Sequence, residues 1–323
     1  MAEPPPLQAL MKSINFYGRF APSFTRIGYV ARGLPFKPVR ADYAGQTWLV
    51  TGATGGLGRA TVLRAVAKGA RVLAVGRNVA ALEQLKSDTA RMRGAVVPVV
   101  CDLSSMKAVA ALPDRPDMAD IRLDVLVNNV GLLMREFGQT AEGFEISYAT
   151  NLLGHYVLTE ALQARGMLKP RSAIINVVSG GLYNMPLNTR ALNAPEKYFN
   201  GFAAYSTHKR AQIGLGEHWR EAWKDLGVRT YAVHPGWADT DGVKTSLPKF
   251  RKVLASVLRN SDEGCDTIDW VAATRPPEVT DQIWFDRKAR TAHAYPHTVN
   301  PRTTPADIVA YLAKDRVAVL GLG

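Results

Sequence analysis

Thr51-Gly52-Ala53-Thr54-Gly55-Gly56-Leu57-Gly58 lies between a run that reads as a strand, residues 48–51, and one that reads as a helix, residues 60–68. Glycines at these positions let the chain turn tightly and let backbone N–H groups approach a phosphate, while the following helix offers its positive N-terminus. The stretch therefore predicts a pyrophosphate-binding turn at the first strand-to-helix junction of an α/β fold.

Outward from this turn, strands and helices alternate. Residues 71–75, 96–101, 125–127, 173–178 and 228–233 are short, apolar and rich in β-branched side chains, and residues 79–91 read as a helix between two of them. That order predicts a Rossmann-type doubly wound parallel sheet with helices on both faces. No linker divides it, so residues 45–323 are expected to form one domain. Past Thr240 the alternation weakens. Helices are expected at 250–258, 265–273 and 305–313, the last capped by Thr304 with Pro305 and Asp307 behind it. Residues 283–285 read as a late edge strand.

Composition excludes several classes. With 47% hydrophobic and 21% charged residues the chain is neither disordered nor fibrous. No apolar run approaches the ~18 residues that suggest a membrane span. The first residues lack the pattern of a secretory signal. Cys101 and Cys265 are too few for a disulfide framework and have no metal-ligand spacing, so no metal is expected and a reducing, cytoplasmic setting fits. The net charge of +12 admits nucleic acid, an anionic membrane or a solvated basic surface. No RNA-recognition, zinc-finger or helix-turn-helix pattern accompanies it, which argues against nucleic acid.

Residues 1–44 form an extension of different character. Lys12, Arg19, Arg26, Arg32, Lys37 and Arg40 interleave with Phe16, Tyr17, Phe20, Phe24, Tyr29 and Phe36, and only Glu3 precedes Asp42 among the acids. Cations mixed with rings suit peripheral contact of residues 1–40 with a membrane surface. They suit equally an arm that packs its rings on the main domain, and the acid-poor start also resembles an organelle transit peptide. Pro22 and Pro35 are expected to interrupt helix. Deletion of residues 1–40 is expected to leave cofactor binding intact.

Two further places carry chemistry. The second strand ends in Val75-Gly76-Arg77-Asn78 without the acid that would accept a ribose 2′-hydroxyl. Arg77, assisted by Arg59, suits a 2′-phosphate through charge-assisted contacts, so NADP(H) is expected over NAD(H). Tyr205-Ser-Thr-His-Lys209 on a helix places phenol and amine on one face. An adjacent ammonium favours phenolate and brings a pKa of ~10 toward the working range, which suits proton transfer.

These motifs, with Ser179 after the fifth strand and His234-Pro235-Gly236-Trp237-Ala-Asp239-Thr240 after the sixth, resemble the short-chain dehydrogenase/reductase superfamily in order and spacing over residues 46–240. The resemblance implies a catalytic set of Ser179, Tyr205, Lys209 and Asn151, with Asn151 ordering a water that leads from Lys209 to solvent. It implies cofactor contacts from Thr51, Gly52, Thr54, Gly55, Gly56, Leu57, Gly58, Arg59 and Arg77. Further contacts are implied from Asp102, Leu103, Asn129, Val130, Gly131, Pro235, Gly236, Trp237 and Thr240, besides Tyr205 and Lys209. Val130 and Val178 depart from the family's usual Ala and Ser. The Ser179-Gly180-Gly181 segment, Phe285-Asp286-Arg287-Lys288 and the N-terminal extension are similar to the subgroup dehydrogenase/reductase SDR family member twelve.

Two loops, about 181–200 and 241–260, are expected to wall the substrate pocket. Tyr183, Met185, Leu187, Phe199 and Phe202 suggest a lipophilic carbonyl or alcohol, unless they pack on one another. An NADP(H)-sensing binding protein and a peripheral membrane protein acting through its arm remain alternatives to the enzyme. Superfamily resemblance implies dimers or tetramers, and the extension and tail leave the homo-oligomer open.

Overall fold

The computed structural model describes residues 6–299 and 302–321, with side chains from residue 15 onward. Its centre is the predicted sheet. In chain order the elements are α1 (Pro6–Phe24), α2 (Arg26–Gly33), β1 (Thr47–Thr51), α3 (Gly56–Ala67), β2 (Arg71–Gly76), α4 (Val79–Asp88), β3 (Ala95–Val100) and α5 (Met106–Ala111). They continue with β4 (Leu123–Asn128), α6 (Ile146–Tyr148), a π-helical turn over Ala149–Leu153, α7 (Gly154–Ala164), β5 (Leu168–Val177), α8 (Gly201–Ala222) and β6 (Arg229–Val233). The last are α9 (Asp241–Ser246), α10 (Pro248–Leu254), α11 (Ser261–Thr274), β7 (Gln282–Phe285), β8 (Lys288–Thr291) and α12 (Pro305–Leu320).

The strand order is β3-β2-β1-β4-β5-β6-β7-β8, parallel except for the β7–β8 hairpin. The first three strands progress one way from β1 and the rest progress the other, so the switch point lies between β1 and β4, where a crevice forms at the carboxyl ends. Both sheet faces are covered. Leu49, Leu73, Leu126 and Ile174 pack under α5, α7, α8 and α12, while Trp48, Val50, Val72 and Val125 pack under α3, α4 and α11. Burial on both faces explains why these strands read as near-continuous apolar runs.

Three expectations need correction. Residues 283–285 are not the edge, because β8 pairs antiparallel outside them through a two-residue turn, Asp286-Arg287, with both φ positive (49° and 55°). Such a turn matches the twist of a hairpin without glycine when both residues are otherwise held. The terminal helix runs to Leu320 rather than stopping near 313, and Thr304 with Asp307 forms a reciprocal cap. Pro22 does not break α1; it falls in the helix's final turn, where only one hydrogen bond is lost before the chain ends the helix at Phe24.

The extension also packs differently from a free arm. Phe16, Phe20 and Phe24, spaced by four on α1, are buried. Phe20 stacks on Phe24 and Tyr183, and Phe24 packs on His234, Trp237 and Phe285. Polar contacts fix the same seam. Arg259 and Asp286, both about 1% exposed, form a bidentate pair at 2.6 and 3.0 Å. Arg259 Nε also donates to the Phe24 carbonyl at 3.0 Å, and Arg32 reaches Asp286 at 2.8 Å. Phe16, Phe20 and Phe24, three of the rings invoked for a membrane surface, thus face inward, and residues 16–33 pack on the main domain rather than standing free of it.

The Arg259–Asp286 pair predicts a stability effect. Asp286→Ala leaves two guanidinium groups at this seam without their carboxylate, and removing one partner of a buried pair costs about 3–5 kcal/mol. Urea unfolding should show that loss. A change below ~1 kcal/mol would mean the pair does not anchor the extension.

Candidate active site

The cleft at the switch point has a volume of about 800 Å³. Its floor lacks side chains where a cofactor would need to lie close. Gly52 and Gly56 have φ of 64° and 48°, values that L side chains seldom adopt. A Cβ on Gly58 would press on the Gly52 carbonyl and stand 2.6 Å from Asn129 Nδ2, so Gly58 holds α3 against the turns after β1 and β4. Thr51 ties those turns together: its hydroxyl accepts from the N–H groups of Asn129 (2.9 Å) and Val130 (3.1 Å). These glycines at the start of the 12-residue helix α3 make a bare cradle that suits a pyrophosphate.

Ser179, Tyr205 and Lys209 line the same cleft. Ser179 follows β5, and Tyr205 and Lys209 share one face of α8. Lys209 is buried; its Nζ donates to the Val177 carbonyl at 2.7 Å and to Gln212 Oε1 at 3.2 Å, and lies 5.8 Å from the Tyr205 ring centre. A Cβ on Gly131 would stand 3.2 Å from that amine, tighter than ordinary contact, so a larger residue here would press on it. Burial lowers the Lys209 pKa to about 7. Burial raises that of Tyr205, and a hydrogen bond with Ser179 acts in the opposite direction.

Asn151 sits in the π-helical turn, but its side chain clamps backbone. Oδ1 accepts from Leu132 N and Nδ2 donates to Leu132 O, both at 2.7 Å. Gln212 stands between Asn151 and the amine, donating from Nε2 to the Asn151 carbonyl at 3.0 Å while its Oε1 accepts from Lys209. His155 closes the group, with Nδ1 3.1 Å from the Asn151 carbonyl and Nε2 3.2 Å from Thr51 Oγ1. Burial lowers its pKa to about 3, so the ring is neutral. Gln212 and His155 were missed in the sequence. Their spacing, three after Lys209 and four after Asn151, is the signal that places them on the same helix faces.

Of the remaining expected cofactor contacts, Gly52, Gly55, Gly56, Leu57, Asn129, Val130, Gly131, Pro235, Gly236, Trp237 and Thr240 line the cleft. Others lie outside its lining. Arg59 is drawn to Asp88 at 2.7 Å. Arg77 is 63% exposed and 3.8 Å from Asp102, whose Oδ1 accepts from the N–H and hydroxyl of Ser104. Leu103 buries its side chain in the core, and Thr51 acts through the turns rather than by facing the cleft.

The expected substrate walls are partly wrong. Tyr183 stacks on Phe20 and Leu187 enters the core, while Phe199 packs edge-on against Phe137. Of the five side chains named on that loop, only Phe202 reaches the cleft. The second loop does contribute, through Val243, Leu247 and Phe250. The lining continues with Leu132–Met134, where the Leu133 carbonyl accepts from Ser246 Oγ at 2.7 Å, and with Phe16 and Tyr17 of α1. Tyr17 packs 5.7 Å from Trp237 and 5.6 Å from Phe250, ring centre to ring centre. The four-residue spacing of Phe16, Phe20 and Phe24 was the readable sign that α1 has a buried face.

The chain is similar to known proteins in sequence and fold. Residues 46–249 match the family short chain dehydrogenase. Dehydrogenase/reductase SDR family member 12 of Bos taurus is 32% identical over 292 residues, covering 88% of this chain and 90% of that protein. Retinol dehydrogenase 14 of Mus musculus is 34% identical over 261 residues, covering 75% and 77%. A short chain dehydrogenase from Burkholderia cenocepacia J2315, solved in complex with NADP, shares the fold with a TM-score of 0.60 at 21% identity, covering 74% and 94%. This chain belongs to the short-chain dehydrogenases, a family of oxidoreductases.

Proposed function

We propose that this protein is an NADP(H)-dependent oxidoreductase that interconverts the carbonyl and alcohol forms of a lipophilic small molecule. The observation that carries the reading is the meeting of Ser179, Tyr205 and Lys209 at the floor of one cleft whose outer wall is aromatic and aliphatic. The nicotinamide supplies or accepts the hydride. Ser179 hydrogen-bonds the substrate oxygen and holds it beside the phenol. Tyr205 gives that oxygen a proton in reduction and takes it back in oxidation. Lys209, in its charged form, favours phenolate and so eases the loss of the phenolic proton. Gln212 and the Val177 carbonyl keep the amine directed at this place.

NADP(H) is favoured by Arg77, whose exposed guanidinium ends the second strand with no acid in the position that serves NAD. The structural relative from Burkholderia cenocepacia, whose title includes NADP, supports the same choice. Lipophilic substrates are favoured by Phe16, Tyr17, Leu133, Trp237 and Phe250 around the cleft, and by the relative named retinol dehydrogenase 14. Arg77→Asp should weaken NADPH by far more than NADH in a calorimetric titration; equal affinity of the unaltered protein for both would contradict the choice.

The acid/base reading predicts a split between binding and turnover. Tyr205→Phe should keep NADPH affinity within about twofold while turnover falls by ~10²–10⁴, the usual share of a positioned proton donor. Near-normal turnover by a folded Tyr205→Phe protein would refute the role. Lys209 adds a pH signature in the cofactor-free protein. Between its native pKa of about 7 and its ordinary 10.5, the unfolded chain binds a proton that the native chain does not. Stability relative to Lys209→Met should therefore rise with pH across that window and stay level below it. A flat difference would mean that the amine is not desolvated.

A further inference from the structure

Phe16, Phe20 and Phe24 of the extension turn inward, while several of its aliphatic side chains turn outward. Ile27 and Val30 on α2 and Leu34 just past its end follow a helical spacing of three and four and are 61%, 49% and 84% exposed. Val253 on α10 is 79% exposed. The start of α2 meets the segment that follows α10, where Arg26 N donates to the Val257 carbonyl at 2.8 Å. A shallow groove at the end of α2, lined by Val30, Leu34, Phe36 and Pro38, extends the apolar surface and carries Lys37 on its rim.

This patch is held in place rather than loose. A Cβ on Gly28 would press on the carbonyls of Ser23 and Pro22, so α2 lies tight against the end of α1. Arg26 pairs with Glu263 at 2.7 Å and Arg32 with Asp286 at 2.6 Å. Both contacts leave the opposite, aliphatic face to solvent. Unpaired cations stand on the same segments of chain. Lys37, Arg40, Lys249 and Lys252 are exposed and make no ion pair among the described residues, and no acid occurs between Glu3 and Asp42.

We propose that the aliphatic face of α2, with Val253 and the lysines of α10, docks this protein on an anionic lipid surface. The charge is complementary to such a surface, and preorganised aliphatic side chains can enter the boundary below the headgroups. A protein partner fits less well. Anchors of protein interfaces are enriched in aromatic rings and arginine, whereas the most exposed side chains here are aliphatic and Arg26 and Arg32 are already paired. Attachment is peripheral, since no helix among the described residues is long and apolar enough to cross a membrane. Docking places the rim formed by Tyr17 and Phe250 beside the lipid, because Phe250 lies one turn before Val253 on α10. The proposal rests on the surface alone and stands or falls apart from the reaction.

Co-sedimentation of the full chain with vesicles tests it without any substrate. The unaltered protein should bind phosphatidylcholine vesicles containing about a third phosphatidylserine, and should be released at about 1 M salt, where the screening length is ~3 Å. Vesicles of phosphatidylcholine alone should bind much less. Ile27→Ser/Val30→Ser/Leu34→Ser should lower the partition at least tenfold with an unchanged melting temperature. Should that variant not fold, Lys249→Gln/Lys252→Gln on the neighbouring helix should lower it about 25-fold, at about fivefold per charge near an anionic surface. The proposal is overturned if the unaltered protein does not bind the anionic vesicles at low salt. It is also overturned if the folded variants bind as well as the unaltered protein. A third overturning result is a dimer in solution that the triple variant dissociates while vesicle binding is absent, which would assign the face to a second copy.

Discussion

A buried amine constrains much of the site. Lys209 Nζ lies under Gly131, where an added side chain would crowd it, and is held by the Val177 carbonyl and by Gln212. Burying an amine in this way is costly unless it is hydrogen-bonded on several sides. The two bonds come from the end of β5 and from α8 itself, while Gly131 in the turn after β4 lies against the amine. Gln212 continues the network to the carbonyl of Asn151, and His155 carries it to Thr51, which fixes the glycine turn after β1. Thus Lys209, Gln212, Asn151, His155 and Thr51 belong to one connected set of hydrogen bonds that runs from the buried amine to the glycine turn. A neutral, fully desolvated His155 suits that role, because it joins two buried polar groups without adding a second charge near the amine.

The N-terminal extension does for the substrate side what this network does for the reacting groups. Its aromatic spine covers the segment after β5, the turn after β6 and the β7–β8 hairpin, and it leaves Phe16 and Tyr17 at the cleft. The Arg259–Asp286 pair beneath it is sequestered from water, and its cost is offset by bonds to the Ser23 and Phe24 carbonyls and by Arg32. An addition outside the parallel sheet has therefore become part of the pocket, at a place where the sheet itself contributes only strand ends and turns.

Much of the molecule was legible in the sequence, because local rules and tertiary packing agree there. The strands from β1 to β6 are buried on both faces and so appear as short apolar runs, and the glycine turn, Ser179, Tyr205 and Lys209 occur in an order that few other folds require. What escaped reading depends on contacts distant in sequence. Nothing near residue 283 states that β8 will cover β7, since the two φ-positive residues of its turn, Asp286 and Arg287, are held by Arg259 and Asp266 from elsewhere. Tyr183 and Leu187 looked like pocket walls because the segment from 181 to 200 is long; they became core when α1 and the main helices supplied neighbours. Phe16, Phe20 and Phe24 were visible as rings, but which way they faced was set by Tyr183, His234 and Phe285, more than 150 residues away.

The reaction proposed for this site is hydride transfer between the nicotinamide of NADP(H) and a carbonyl carbon held at Ser179 and Tyr205. It is tested most directly by following the label of NADPH deuterated at the transferable nicotinamide position, by mass spectrometry, across a panel of lipophilic aldehydes and ketones. The account predicts an alcohol product carrying one deuterium on the former carbonyl carbon, formed faster with NADPH than with NADH. Consumption of NADPH with an unlabelled product, or no alcohol formed from any member of the panel by a protein that binds NADPH, would contradict it.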